Sequence, residues 1–85
     1  MLKYTKPFLE KLEDVTTQAG YILRYEKGSF KAGYCLLNDT KVVIINKFFT
    51  LEARINCLTE LLRNMEIDQN LLSDKNRELL KQIRT

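Results

Sequence analysis

The chain contains no histidine. That removes the commonest general base near neutral pH and the commonest metal ligand. Nucleophile systems that pair serine or cysteine with histidine are excluded with it. Cysteine is scarce: Cys35 and Cys57 are the only two. They do not make a disulfide framework, and two buried thiols are the expectation. Charge of one sign is also scarce. A net charge of +3 is too small to mark a dense basic face for nucleic acid. No apolar run approaches the roughly 20 residues that span a bilayer. The opening Met1-Leu2-Lys3-Tyr4-Thr5-Lys6-Pro7 has no apolar core of the signal-peptide kind. A cytoplasmic chain without a membrane partner is therefore expected.

What is present suits one small globular domain spanning residues 1–85. The length admits one domain and not two. A chain of this size buries roughly 60–65% of the surface its unfolded form exposes, so its core has little margin. Hydrophobic residues make up 45% and charged residues 29%, a balance that argues against disorder.

The first segment has helical period. Phe8, Leu12, Val15 and Ala19 recur on one side, Thr5 can cap it, Pro7 suits its first turn, and Gly20 stops it. Glu10, Lys11, Glu13 and Asp14 are expected to face outward. Three strands follow. Tyr21 to Glu26 is aromatic and branched, Phe30 to Leu37 alternates, and Val42 to Ile45 is a continuous branched run expected to be covered on both sides. Lys27-Gly28-Ser29 and Asn38-Asp39-Thr40 read as turns. Short turns make neighbouring strands antiparallel. The expected fold is therefore α+β: a helix, a three-stranded antiparallel meander, then two helices packed on one sheet face. Thr50 caps the second helix, which runs to about Met65 with Leu51, Ile55, Leu58 and Leu62 as its stripe. Ser73 caps the last, with Leu79, Leu80 and Ile83 inward.

The segment Gly33 to Lys47 begins Gly33-Tyr34-Cys35 and closes on Ile44-Ile45-Asn46. The helix from Leu51 to Arg63 follows it. This arrangement over residues 20–66 resembles the core of the ImmA/IrrE-type zincin metallopeptidases. In that family a hairpin with G-x-C at its start and I-x-I-N at its end precedes an H-E-x-x-H helix. Aligning the helices puts Thr59-Glu60-Leu61-Leu62-Arg63 at the H-E-x-x-H position. The resemblance implies that Glu60 stands where the general base would be. Thr59 and Arg63 stand where two zinc-binding histidines would be. A zinc site needs about three protein ligands, and a missing metal leaves Glu60 no bound water to activate. The resemblance thus implies a vestigial, non-catalytic site at Thr59, Glu60 and Arg63, with no metal and no cofactor.

Other chemistry has fewer residues to draw on. Cys35, Cys57 and Glu60 make a poor soft-metal set. The acidic residues lack the spacing of a calcium loop or a carboxylate pair. Tyr25, Phe30, Tyr34 and Phe48, interleaved with Lys27, Lys31, Lys41 and Lys47, could stack bases and hold phosphates. The competing assignment puts the aromatics on the core side of the sheet and the lysines along its edges. Phe48 and Phe49 cannot easily both enter one core. One could act as a staple against the helix and the other as a contact point for a partner, with core packing the preferred assignment.

The expectation is a small, bacterial-type, non-catalytic domain that binds another protein or itself, as a homodimer, through an open strand edge or sheet face. Tyr25, Phe30, Tyr34, Phe48 and Phe49 are its candidate interaction residues. The alternatives are a weak single-stranded nucleic-acid-binding module and an enzyme of unfamiliar type built on Cys35 or Cys57.

Overall fold

The structure is a computed structural model that describes residues 3–28, 32–37 and 40–85, the second of these by its backbone. The chain order is α1 (Lys6–Gln18), β1 (Ile22–Glu26), β2 (Ala32–Leu37), β3 (Thr40–Asn46), α2 (Leu51–Asn64), a 3-10 turn (Gln69–Leu71) and α3 (Asp74–Arg84). Each helix starts on a hydroxyl cap. The amides of Phe8, Ala53 and Asn76 donate to the side chains of Thr5, Thr50 and Ser73. α1 ends in a Schellman turn. The Gly20 amide donates to Thr17 and the Tyr21 amide to Thr16, with Gly20 at a φ of +93°, where a side chain would be strained.

The sheet is not the expected meander. Its strand order is β1-β3-β2, with β3 in the middle. β3 runs parallel to β1, with Ile22 opposite Val42 and Glu26 opposite Asn46. It runs antiparallel to β2, with Ala32 opposite Ile45 and Leu37 opposite Thr40. The physical reason lies in composition. The central position has a neighbour on each side, and the most densely branched segment, Val42 to Ile45, gains most from it. The five residues between β1 and β2 are long enough to step over one strand, a span of roughly 10 Å. β1 and β2 are thus both edges.

The helices lie on one side of the sheet. α1 and α2 pack together and against the strands, while α3 packs mainly on α1 and α2. Val43 and Ile45 of β3 are buried against Leu9, Leu12 and Val15 of α1 and Ile55, Leu58 and Leu62 of α2, in one cluster that Leu80 and Ile83 of α3 extend. Leu23 and Tyr25 of β1 pack onto the same cluster. The other sheet face alternates with these. There Ile22 is 50% exposed, Arg24 is exposed and Ile44 half-buried, while Val42 is buried outside the main cluster. The main cluster covers β3 from the helix side, and Val42 is buried on the other face as well. A buried polar clamp joins α3 to α1. The Asn76 side-chain amide donates to Asp14 and Gln18 at 2.9 Å each, and the Ser73 amide donates to the same Gln18 oxygen. Among the described residues no helix is long and apolar enough to cross a membrane.

Candidate functional site

The parallel strands β1 and β3 end side by side at Glu26 and Asn46, and the chain turns there into α2. Asn46 organises the turn. Its carboxamide oxygen accepts from the Phe48 amide at 3.0 Å, its carbonyl accepts from the Phe49 amide, and its Nδ2 donates to the Gly28 carbonyl at 2.9 Å. The Lys47 amide continues the ladder by donating to Glu26 at 2.9 Å. The turn is thus tied to the β1 exit at two points.

Arg54, in the first turns of α2, reaches back over this junction. Its Nε donates to the Phe49 carbonyl at 3.1 Å and its Nη2 to the Lys47 carbonyl at 2.7 Å. Its guanidinium carbon also lies 4.7 Å from the centre of the Tyr25 ring. The Tyr25 hydroxyl donates a hydrogen bond to Glu13 of α1. Burial pushes the Tyr25 phenol above its ordinary pKa. The hydrogen bond to Glu13 and the negative charge there add to the rise, and Arg54 opposes it. Glu13, Tyr25 and Arg54 therefore fasten α1, β1 and α2 together under the turn.

Phe49 and Phe48 divide, and core packing does not extend to both. Phe49 packs onto the core, and Phe48 is 70% exposed with the Lys47 ammonium 5.6 Å from its ring centre. Phe49 precedes the Thr50 cap and Arg54 is the fourth residue of α2, so a polar clamp on the Phe49 carbonyl stands where an apolar staple partner would be. Of the candidate interaction residues, Tyr25, Phe48 and Phe49 meet at this corner. Phe30 lies outside the described residues. Tyr34 is described by its backbone, opposite Val43. Lys41 and Lys47 stand at opposite ends of β3. Lys47 flanks Phe48, Lys41 lies 5.3 Å from the Tyr21 ring at the far end of β3, and Lys31 is outside the described residues.

The three positions taken from the zincin likeness point in three directions. Thr59 is 3% exposed, and its hydroxyl has no hydrogen-bond partner among the described residues. Glu60 is exposed, and its carbonyl and carboxylate accept from Asn64. Arg63 donates from Nε to the Ile83 carbonyl at 2.8 Å, holding the end of α3. Cys57 is half-buried on α2, and Cys35 is described by its backbone, opposite Val42. Among the described residues no three cysteine, aspartate or glutamate side chains converge as metal ligands do. A surface groove beside α3, lined by Asp74, Glu78, Arg77 and Lys81, mixes both signs of charge and selects neither.

Glu13 and Arg54 are organising residues that the sequence did not single out, and Asn46 stood out there only as the last residue of the hairpin motif. Glu13 reads there as an outward polar position. Compared with known proteins, the chain matches no family model, no curated protein and no solved structure.

Proposed function

We propose that this chain is a small, non-catalytic protein-interaction domain that engages its partner at the corner carrying Phe48. The observation behind this is a large apolar ring, 70% exposed, on a turn that Asn46 and Arg54 hold from beneath. A rigid exposed aromatic loses little freedom on binding, which is why such residues carry a large share of interface energy. Lys47 beside it favours a partner segment that combines an apolar side chain with acidic neighbours.

The nucleic-acid alternative fits the geometry less well. Base stacking needs several open ring faces; of the aromatics it would use, Tyr25 lies under Arg54, and Phe48 is the one exposed ring among those whose side chains are described. The zincin likeness is compatible with a binding role, because Thr59 and Arg63 at the two histidine positions would hold no zinc.

The test immobilises the wild-type chain and Phe48→Ser and compares what each retains from native lysate, with circular dichroism confirming equal folding. A protein retained by the wild type and lost by the variant is expected. Equal retention, or peptide hydrolysis by the wild type that depends on added zinc, would overturn the proposal.

A further inference from the structure

β1 is an edge strand whose outer side is open among the described elements. Strand residues alternate in the direction of their backbone groups. The Glu26 carbonyl accepts from Lys47, so Ile22, Arg24 and Glu26 address β3. The N–H and C=O groups of Leu23 and Tyr25 therefore face outward, and no backbone bond to them occurs among the described residues. Tyr21, one step earlier, is different: its N–H already donates to Thr16. An open row of this kind is a template for another strand.

The side chains beside this row carry a self-complementary pattern. Arg24 and Glu26 lie on the sheet face away from the helices, opposite Ile44 and Asn46, and pair with each other at 3.0 Å. Both stay well exposed, at 58% and 42% of their side-chain surface. A second copy of β1 laid antiparallel can align its outward groups in a few registers only. With Tyr25 opposite Tyr25 of the second copy, Leu23 faces Lys27 of that copy, and Arg24 faces Glu26 twice by symmetry. Moving to either neighbouring register sets Arg24 on Arg24 or Glu26 on Glu26. Opposite charges directly across an antiparallel pair stabilise it, and like charges there destabilise it.

We propose that this chain forms a two-fold symmetric homodimer by antiparallel pairing of β1 with β1 of a second copy, centred on Tyr25. The two three-stranded sheets become one six-stranded sheet, and Arg24 and Glu26 of both copies form a four-charge ring that fixes the register. Such an interface is isologous, the commonest form for a dimer. Its contacts are the outward backbone groups of β1 and the Arg24 and Glu26 side chains, not the Phe48 ring, so the two proposals fail separately.

Sedimentation of the wild type and a charge-exchange series tests this. Arg24→Glu and Glu26→Arg each place like charges in the register and are expected to raise the dimer dissociation constant by about tenfold or more. The double variant Arg24→Glu/Glu26→Arg restores opposite charges and is expected to return to near the wild-type value. Phe48→Ser is expected to dimerise as the wild type does. The substituted side chains are exposed, and circular dichroism checks that each variant folds. Hydrogen exchange supplies a second readout: the Leu23 and Tyr25 amides should gain protection as wild-type concentration rises. A wild type that stays monomeric to millimolar concentration would overturn the proposal. So would single reversals without effect, a double variant that stays dissociated, or a dimer lost in Phe48→Ser.

Discussion

Arg63 and Arg84 each close the helix that carries the other. Arg63, in the last turn of α2, donates to the Ile83 carbonyl near the end of α3. Arg84, in the last turn of α3, donates to the Leu62 carbonyl from Nε and Nη2 at 3.1 and 2.9 Å and to the Met65 carbonyl at 2.7 Å. The final carbonyls of a helix have no partner within it, and a cation there also meets the negative end of the helix dipole. Both needs are met by exchange between two neighbouring ends. Arg84→Ala is expected to cost about 1–2 kcal/mol, because it removes charge-assisted bonds to two carbonyls. That corresponds to a fall in melting temperature of about 5–15 °C for a domain this small. Arg63→Ala, which loses one such bond, should cost less. Arg84→Lys should recover only part of the loss, since an ammonium cannot reproduce the planar fork. Thermal melts of the three variants order these effects.

Thr59 predicts a gain. Its hydroxyl is buried without a partner among the described residues. Removing an unsatisfied buried polar group while keeping the shape is favourable. Thr59→Val is expected to stabilise the domain by about 1 kcal/mol in urea unfolding, with an unchanged slope on denaturant. A loss of stability would show that the hydroxyl is satisfied in solution.

Tyr25 predicts a pH dependence at the alkaline end. Its phenol is raised above the ordinary tyrosine value chiefly by burial and then by Glu13. Unfolded chains release this proton near pH 10, while the folded chain still holds it. Stability carried by the protonated phenol is thus fully present below about pH 10 and falls as pH rises beyond it. Tyr25→Phe lacks that proton. The stability difference between wild type and variant should stay constant up to about pH 10 and then shrink. In absorbance titration of the native protein, one of the four tyrosines should ionise only well after an ordinary exposed tyrosine does. A Tyr25 that titrates at the ordinary value would contradict the buried pairing with Glu13.

The helices were legible because their signals are local. Thr5, Thr50 and Ser73 each accept from an amide one turn on, and Gly20 takes the left-handed conformation that its place after α1 requires. Strand pairing was not legible because it is settled between segments. A five-residue connection from β1 to β2 suits a hairpin in the sequence, and nothing local says that β3 will enter between them. The same limit applies to the Phe48 corner. Adjacency alone favoured core packing, whereas Phe48 is exposed, and the residues that hold the corner lie far apart in sequence. Glu13 and Arg54 look like solvated charges until α1 and α2 are placed on either side of Tyr25.

The most direct test of the proposed binding role places a photo-activatable phenylalanine analogue at position 48 and, as a control, at position 71, whose native leucine is also exposed, on the 3-10 turn away from the corner. Irradiation in native lysate is predicted to give a discrete crosslinked species from position 48 that is absent from position 71. The same adducts from both positions, or none from position 48, would contradict a binding role for the corner that Phe48 presents.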